Sequence, residues 1–201
     1  MAIKPVFDGT VAEYLERLEV DPSLAILPLQ MAADHQGVSR AAIDRKVRLG
    51  HLDEVRIDGT RYVRASSVIA IRHEFERKVA VVRAYLEKLA RRGETHVFYE
   101  PVMNLVGLSP RVPADRTAIG AILGRVSEIT WALTKKDRHL LSVLVHRKTP
   151  GVTRPGPGFL ALAEQWRDSE GLPDWESEDD LIERETRRVL GFYGRSEDWP
   201  E

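Results

Sequence analysis

From Ser66 to Arg92 the chain contains neither proline nor glycine, and Val68, Ile71, Phe75, Val79, Val82, Leu86 and Leu89 recur at spacings of three and four. Side chains at those spacings share one face of an α-helix, so the stretch predicts a single long helix with a narrow apolar seam. The seam has two readings of equal weight, since nothing local separates them: a contact with a second copy, or a surface that packs on the chain's own C-terminal part. Either way the helix divides the chain into residues 1–65, a connecting segment 66–92, and residues 93–201.

Cysteine is absent, which excludes disulfides, thiolate zinc sites and cysteine nucleophiles. No apolar run approaches membrane-spanning length, and MAIKPVFDGT lacks the pattern of a signal peptide. The expectation is a soluble, cytoplasmic protein with no membrane partner. The net charge of −1 is uninformative, but its distribution is not. Residues 37–72 carry eight basic against four acidic side chains, and residues 164–201 carry thirteen acidic against five basic. A basic front suits a polyanion, although solvated helix faces give the same asymmetry.

Within the N-terminal part, Thr10 and Glu13 in TVAE form a capping-box pattern that predicts a helix over 11–20, ended by Asp21-Pro22. A second helix is expected near 29–36, stopped by Gly37. Ser39 has the character of an N-cap for a helix over 40–49, which Gly50 terminates. In EVRIDGTRYVRA, Asp58-Gly59 stands between two alternating runs and predicts a tight hairpin with two positive-φ residues.

Residues 27–65 thus read as helix, three-residue turn, helix and hairpin. Ala32, Ala33, Val38, Ile43 and Val47 are small or β-branched and suit two helices crossing at close range. The other face of the second helix carries Arg40, Asp44, Arg45 and Arg48, with Ser39 and Arg40 at the N-terminal end, where backbone N–H groups and the dipole favour phosphate. The hairpin adds Arg56, Thr60, Arg61 and Arg64. A basic helix followed by a basic hairpin points to double-stranded DNA. In that reading Arg40 and Arg45 reach base edges, and Arg48, Arg56, Arg61 and Arg64 neutralise phosphates. Ser39, Asp44 and Thr60 complete the interface, and Tyr62 packs the hairpin. The blander reading is a protein-docking module.

The stretch LPLQMAADHQGVSRAAIDRKVRLGHLDEVRIDGTRYVRASSV resembles the excisionase-like and MerR-like winged helix-turn-helix families. The shared features are the alanine pair before G-V-S-R, the basic residues before R-x-G-x-L, the V-R-I-x-G-x-R-Y-V hairpin and a serine-capped helix after it. The likeness covers about residues 27–72. It departs at Asp34-His35-Gln36, where those families usually carry apolar residues. The resemblance implies sequence-directed DNA binding, as a transcriptional regulator or as an architectural, recombination-directing binder.

In the second half, THVFY predicts a strand and EPVMNLVGL a short helix ended by Gly107. A helix follows over about 115–133, then LLSVLVHRK as a buried strand, TPGVTRPGPGF as a loop, FLALAEQWR as a helix, and a last amphipathic helix over 178–193 capped by Ser177 or Asp179. The six histidines, His35, His51, His73, His96, His139 and His146, have no compact metal-ligand spacing, and no metal or cofactor is assigned. A metal-dependent nuclease places an acid and then an acid-x-lysine pair at a strand end. Here His146 stands in place of the second acid, two residues before Lys148, and Glu128 and Asp137 are the remaining oxygen donors. VFYEPVMNLVGL, RTAIGAILG, SVLVHRK and PGPGF also resemble, in order, the alkylguanine-DNA alkyltransferase and alkyltransferase-like proteins. Val145 occupies the place of their cysteine nucleophile, so the resemblance implies a DNA-contacting domain without alkyl transfer. The plainer reading, an α/β core of strand and loop, is adopted. This half also resembles a small module of uncharacterised bacterial proteins, which implies no activity. RPGPGF, beside Arg154, is read as a rigid turn feeding Phe159 and Leu162 into the core rather than as an anion site.

The expected fold is mainly α with a short β-hairpin: an N-terminal winged helix-turn-helix, a long connecting helix and a small C-terminal α+β domain. The expected function is sequence-directed DNA binding without catalysis, with a homodimer through helix 66–92 as one option. A DNA-targeted, nuclease-like enzyme is the alternative from another class.

Overall fold

The computed structural model describes residues 4–134, 137–149 and 152–194. Among them are eight α-helices and two small sheets, of four and three strands. The chain divides into two compact units, residues 1–74 and 75–201. The division falls inside the longest helix, α4 (Ala65–Arg91). Among the described residues no helix is long and apolar enough to cross a membrane.

The first unit opens with β1 (Phe7–Gly9) and α1 (Val11–Val20). Thr10 caps α1 through a complete capping box with Glu13, so two otherwise orphaned donors are satisfied reciprocally. Asp21 then caps a single 3₁₀ turn, Pro22–Leu24, and β2 (Ile26–Pro28) leads into α2 (Leu29–Gln36). Helix α2 ends at Gly37, whose φ of 62° lets the Val38 amide donate back to the Ala33 carbonyl at 3.1 Å. Helix α3 (Arg40–Arg48) follows, then β3 (Glu54–Ile57) and β4 (Thr60–Arg64). The hairpin turn has the expected form, with φ of 46° at Asp58 and 75° at Gly59.

The sheet order is β1-β3-β4-β2, with β1 parallel to β3 and the other pairs antiparallel. Strand alternation splits the unit's apolar side chains into two clusters. Val55 and Ile57 pack with Tyr14 and Leu24, while Val63 packs with Leu29, Ala32, Ala33, Ile43, Val47, Leu52 and Val68. Ala32 and Ala33 are completely buried, as a close helix crossing requires. Val38 is not part of that contact and is 36% exposed. Asp34 and His35 point outward, and Gln36 accepts a hydrogen bond from Lys46, so the polar trio leaves the packing of α2 to its other face.

In the second unit Val79, Val82, Leu86 and Ala90 of α4 are buried in one core. That core also takes in α5 (Tyr99–Leu105), α6 (Pro113–Leu133), α7 (Pro157–Glu170) and α8 (Glu178–Tyr193), together with the buried stretch from Leu140 to Val145. The seam of α4 is therefore covered by the chain itself: Val68 and Ile71 in the first unit's core, Phe75 to Leu89 in the second's. A short sheet of β5 (Val97–Phe98), β6 (Val145–Thr149) and β7 (Val152–Pro155) has the order β5-β6-β7.

Two local expectations are corrected. Leu141–Leu144 is a 3₁₀ turn rather than the start of a strand. All four of its residues are buried, and a run that is buried all round carries no period by which a strand could be told from a helix. Val152–Pro155, expected to be loop, is an edge strand antiparallel to β6. Proline is tolerated at its last position because an edge strand can spare one N–H. Pro150 and Gly151, part of the same expected loop, lie outside the described residues.

Candidate nucleic-acid interface

Helix α3 is built to hold one face in the core and show the other to water. Ser39 accepts from the Ala42 amide at 3.3 Å and starts the helix, so this residue acts first as a cap. Ile43 and Val47 are buried on one side. Arg45 and Arg48 occupy the opposite side, and Arg40 stands exposed in the first turn. None of these three arginines has a hydrogen bond or ion pair among the described residues. Their charge is uncompensated at the surface. Lys46, by contrast, lies half-buried against Gln36, and burial lowers its ammonium.

The hairpin arginines are organised differently. Arg56 and Arg61 stand directly opposite each other across β3 and β4, a like-charge pairing that is unfavourable by itself. Glu54, on the same sheet face and 8% exposed, resolves it. It accepts from Arg61 Nε, and from Arg56 Nη2 at 3.3 Å. Burial works to raise the Glu54 carboxyl, but the hydrogen bonds and charges of the two guanidinium groups outweigh it and hold the carboxyl below the usual range. The other end of Arg61 donates to Asp44 of α3 at 2.8 Å. The chain Asp44–Arg61–Glu54–Arg56 thus fixes the hairpin against α3. Asp44 serves as a tie between elements, not as a free acceptor.

Arg64 sits at the far end of β4. It donates to the Ser23 carbonyl at 2.9 Å and to Ser23 Oγ at 2.6 Å, and lies 3.6 Å from Asp21 and 3.5 Å from Asp53. Its charge is spent inside the unit. Thr60 is exposed beside the hairpin turn. The structure thus brings Asp44, Arg56 and Arg61 into one network and leaves Arg40, Arg45 and Arg48 free beside it. Glu54 was not anticipated. Its signal was its alternation with Arg56 in EVRI, which puts both on one sheet face, but only the strand register shows Arg61 there too.

In the second unit, Glu128 is exposed and paired with Arg125 at 2.9 Å. Among the described residues no group of three His, Asp or Glu side chains comes together as a metal-ion site. Arg154 is ion-paired with Glu178 at 3.0 Å and Asp179 at 3.6 Å. Comparison with protein-family models, curated proteins and solved structures gives no match for this chain.

Proposed function

We propose that the chain is a cytoplasmic, sequence-directed binder of double-stranded DNA, acting as a transcriptional regulator through a winged helix-turn-helix formed by α2, α3 and the β3–β4 hairpin. The observation that carries this reading is the contrast among its cations. Arg40, Arg45 and Arg48 on α3 are exposed and unpaired, whereas the neighbouring Arg61 and Arg64 are held by carboxylates. Leaving three like charges uncompensated on one short helix is unfavourable in the free protein, and an anionic partner relieves it. Arg40 and Arg45 read base edges from the major groove, and Arg48 positions the helix on phosphate. Arg56, Thr60 and the solvent side of Arg61 lie along the adjacent backbone. No catalytic step belongs to this reading.

The test is fluorescence-anisotropy binding to genomic fragments across a salt series. Wild type is expected to select particular fragments, with affinity falling steeply as salt rises. Arg40→Ala/Arg45→Ala loses the selectivity. Arg48→Ala weakens all fragments alike and lowers the salt slope by about 1. Weak, salt-insensitive binding that none of these substitutions alters would overturn the proposal and leave a protein-docking surface.

A further inference from the structure

A half-open cavity of about 260 Å³ lies in the second unit between α6 and α7. Its small lining residues are Gly120 and Gly124 from α6 with Gly158 and Ala161 from α7, and its apolar walls are Leu123, Phe159 and Leu162. The three glycines lack the usual reasons for glycine. None has positive φ, and a Cβ built on any of them meets no heavy atom within 4 Å. Alanine fits at each position and favours a helix interior more than glycine does. What the glycines preserve is the open space in front of them.

A second observation concerns Ser142, which lines the same cavity and is 5% exposed. Its Oγ accepts from the Ser127 hydroxyl at 2.7 Å, and its amide donates to Ser127 Oγ at 3.4 Å. The two hydroxyls share one contact, so one of their two protons is left without an acceptor among the described residues, and Ser142 is the member of the pair that lines the cavity. A buried donor left this way is unfavourable, and native structures rarely keep one without a use. Tyr99 also lines the cavity, and its hydroxyl stands beside Gly156, where an added Cβ would come within 2.8 Å of it. Burial raises the Tyr99 phenol, so it remains a protonated donor. No charged side chain lines the cavity, so an ionised ligand would lack a counter-charge there.

We propose that this cavity binds a small, neutral, mainly apolar molecule the size of one substituted ring, whose carbonyl oxygen accepts from Ser142 and Tyr99. The proposal does not rest on the nucleic-acid reading. It is tested on the full chain by titrating acetophenone, with ethylbenzene as the probe of similar shape that lacks an acceptor, and following amide shifts by NMR. Saturable shifts around Ser142, α6 and α7 are expected, with ethylbenzene about tenfold weaker. Ser142→Ala should weaken acetophenone severalfold, and Ser142→Ala/Tyr99→Phe should bring it down to the level of ethylbenzene. Gly124→Leu fills the space and should abolish both while circular dichroism shows a folded protein, and Gly120→Leu is the second filling variant should the first not fold. Absence of saturable shifts up to about 10 mM, equal affinity for the two probes, or binding that survives a filling substitution would overturn the proposal. So would a concentration-dependent dimer that Gly124→Leu removes without any probe binding, since a second copy's side chain would then be the occupant.

Discussion

Glu54 is the residue on which the arrangement of the hairpin turns. It is buried, it separates two opposed arginines, and through Arg61 it connects to Asp44 on α3. Removing one member of a buried ionic network leaves the others desolvated and uncompensated, which costs about 3–5 kcal/mol when all members are buried. Arg56 and Arg61 keep contact with water, so Glu54→Ala is expected to destabilise by less, about 2 kcal/mol. Denaturant melts of the variant measure this. Asp44→Ala, at the exposed end of the network, is expected to change stability by under about 1 kcal/mol. An Asp44→Ala loss as large as that of Glu54→Ala would show that the helix tie, not the strand pairing, dominates.

At the scale of elements, caps and glycines give the sharpest expectations. Helix α3 begins on a single side-chain cap, so Ser39→Ala should cost about 1 kcal/mol. Thermal melts read it directly. Helix α6 offers the opposite sign. Gly120→Ala and Gly124→Ala place a methyl group where nothing lies within 4 Å and remove the conformational freedom of glycine, so each should stabilise by up to about 1 kcal/mol. A loss of stability would mean that the α6 backbone needs glycine after all. The capping box of α1, the glycine stop of α2 and the Asp58-Gly59 turn were legible because each depends on neighbours within a few residues. Strands β1 and β2 were not. Three residues are too few for alternation to register, and each strand exists only because β3 or β4 lies beside it.

For the whole molecule, buried titratable groups set the response to pH. Burial and the neighbouring His96, stacked at 5.3 Å between ring centroids, hold His146 below the ordinary histidine range, and burial does the same to His139. A histidine depressed in the folded state is bound by fewer protons there than in the unfolded chain. Its contribution is complete above the ordinary value of 6.5 and declines as pH falls below it. Glu185 has the opposite sense. Burial raises its carboxyl, so its unfavourable ionisation sets in as pH rises past 4.5. The two histidines should therefore cost the second unit thermal stability between pH 7 and pH 5, an interval over which Glu185 acts in the opposite direction. His146→Phe should show a smaller loss over that interval, and an unchanged loss would place the sensitivity elsewhere.

The α4 seam marks most clearly the line between what the sequence decides and what it leaves open. Spacings of three and four determined a long helix, and the structure has one over Ala65–Arg91. They did not determine what covers it, because a seam facing a second copy and a seam facing the chain's own core require the same side chains. The same holds at the candidate interface. The sequence by itself determined that basic residues gather on one helix and one hairpin. Only the tertiary structure decided which of them are spent, with Arg61 and Arg64 held by Glu54, Asp44, Asp53 and Asp21, and Arg40, Arg45 and Arg48 left free. Helices, caps and turns follow from contacts a few residues apart along the chain. Ion pairing, burial and the cavity depend on residues brought together from distant positions, and that information lies in the packing.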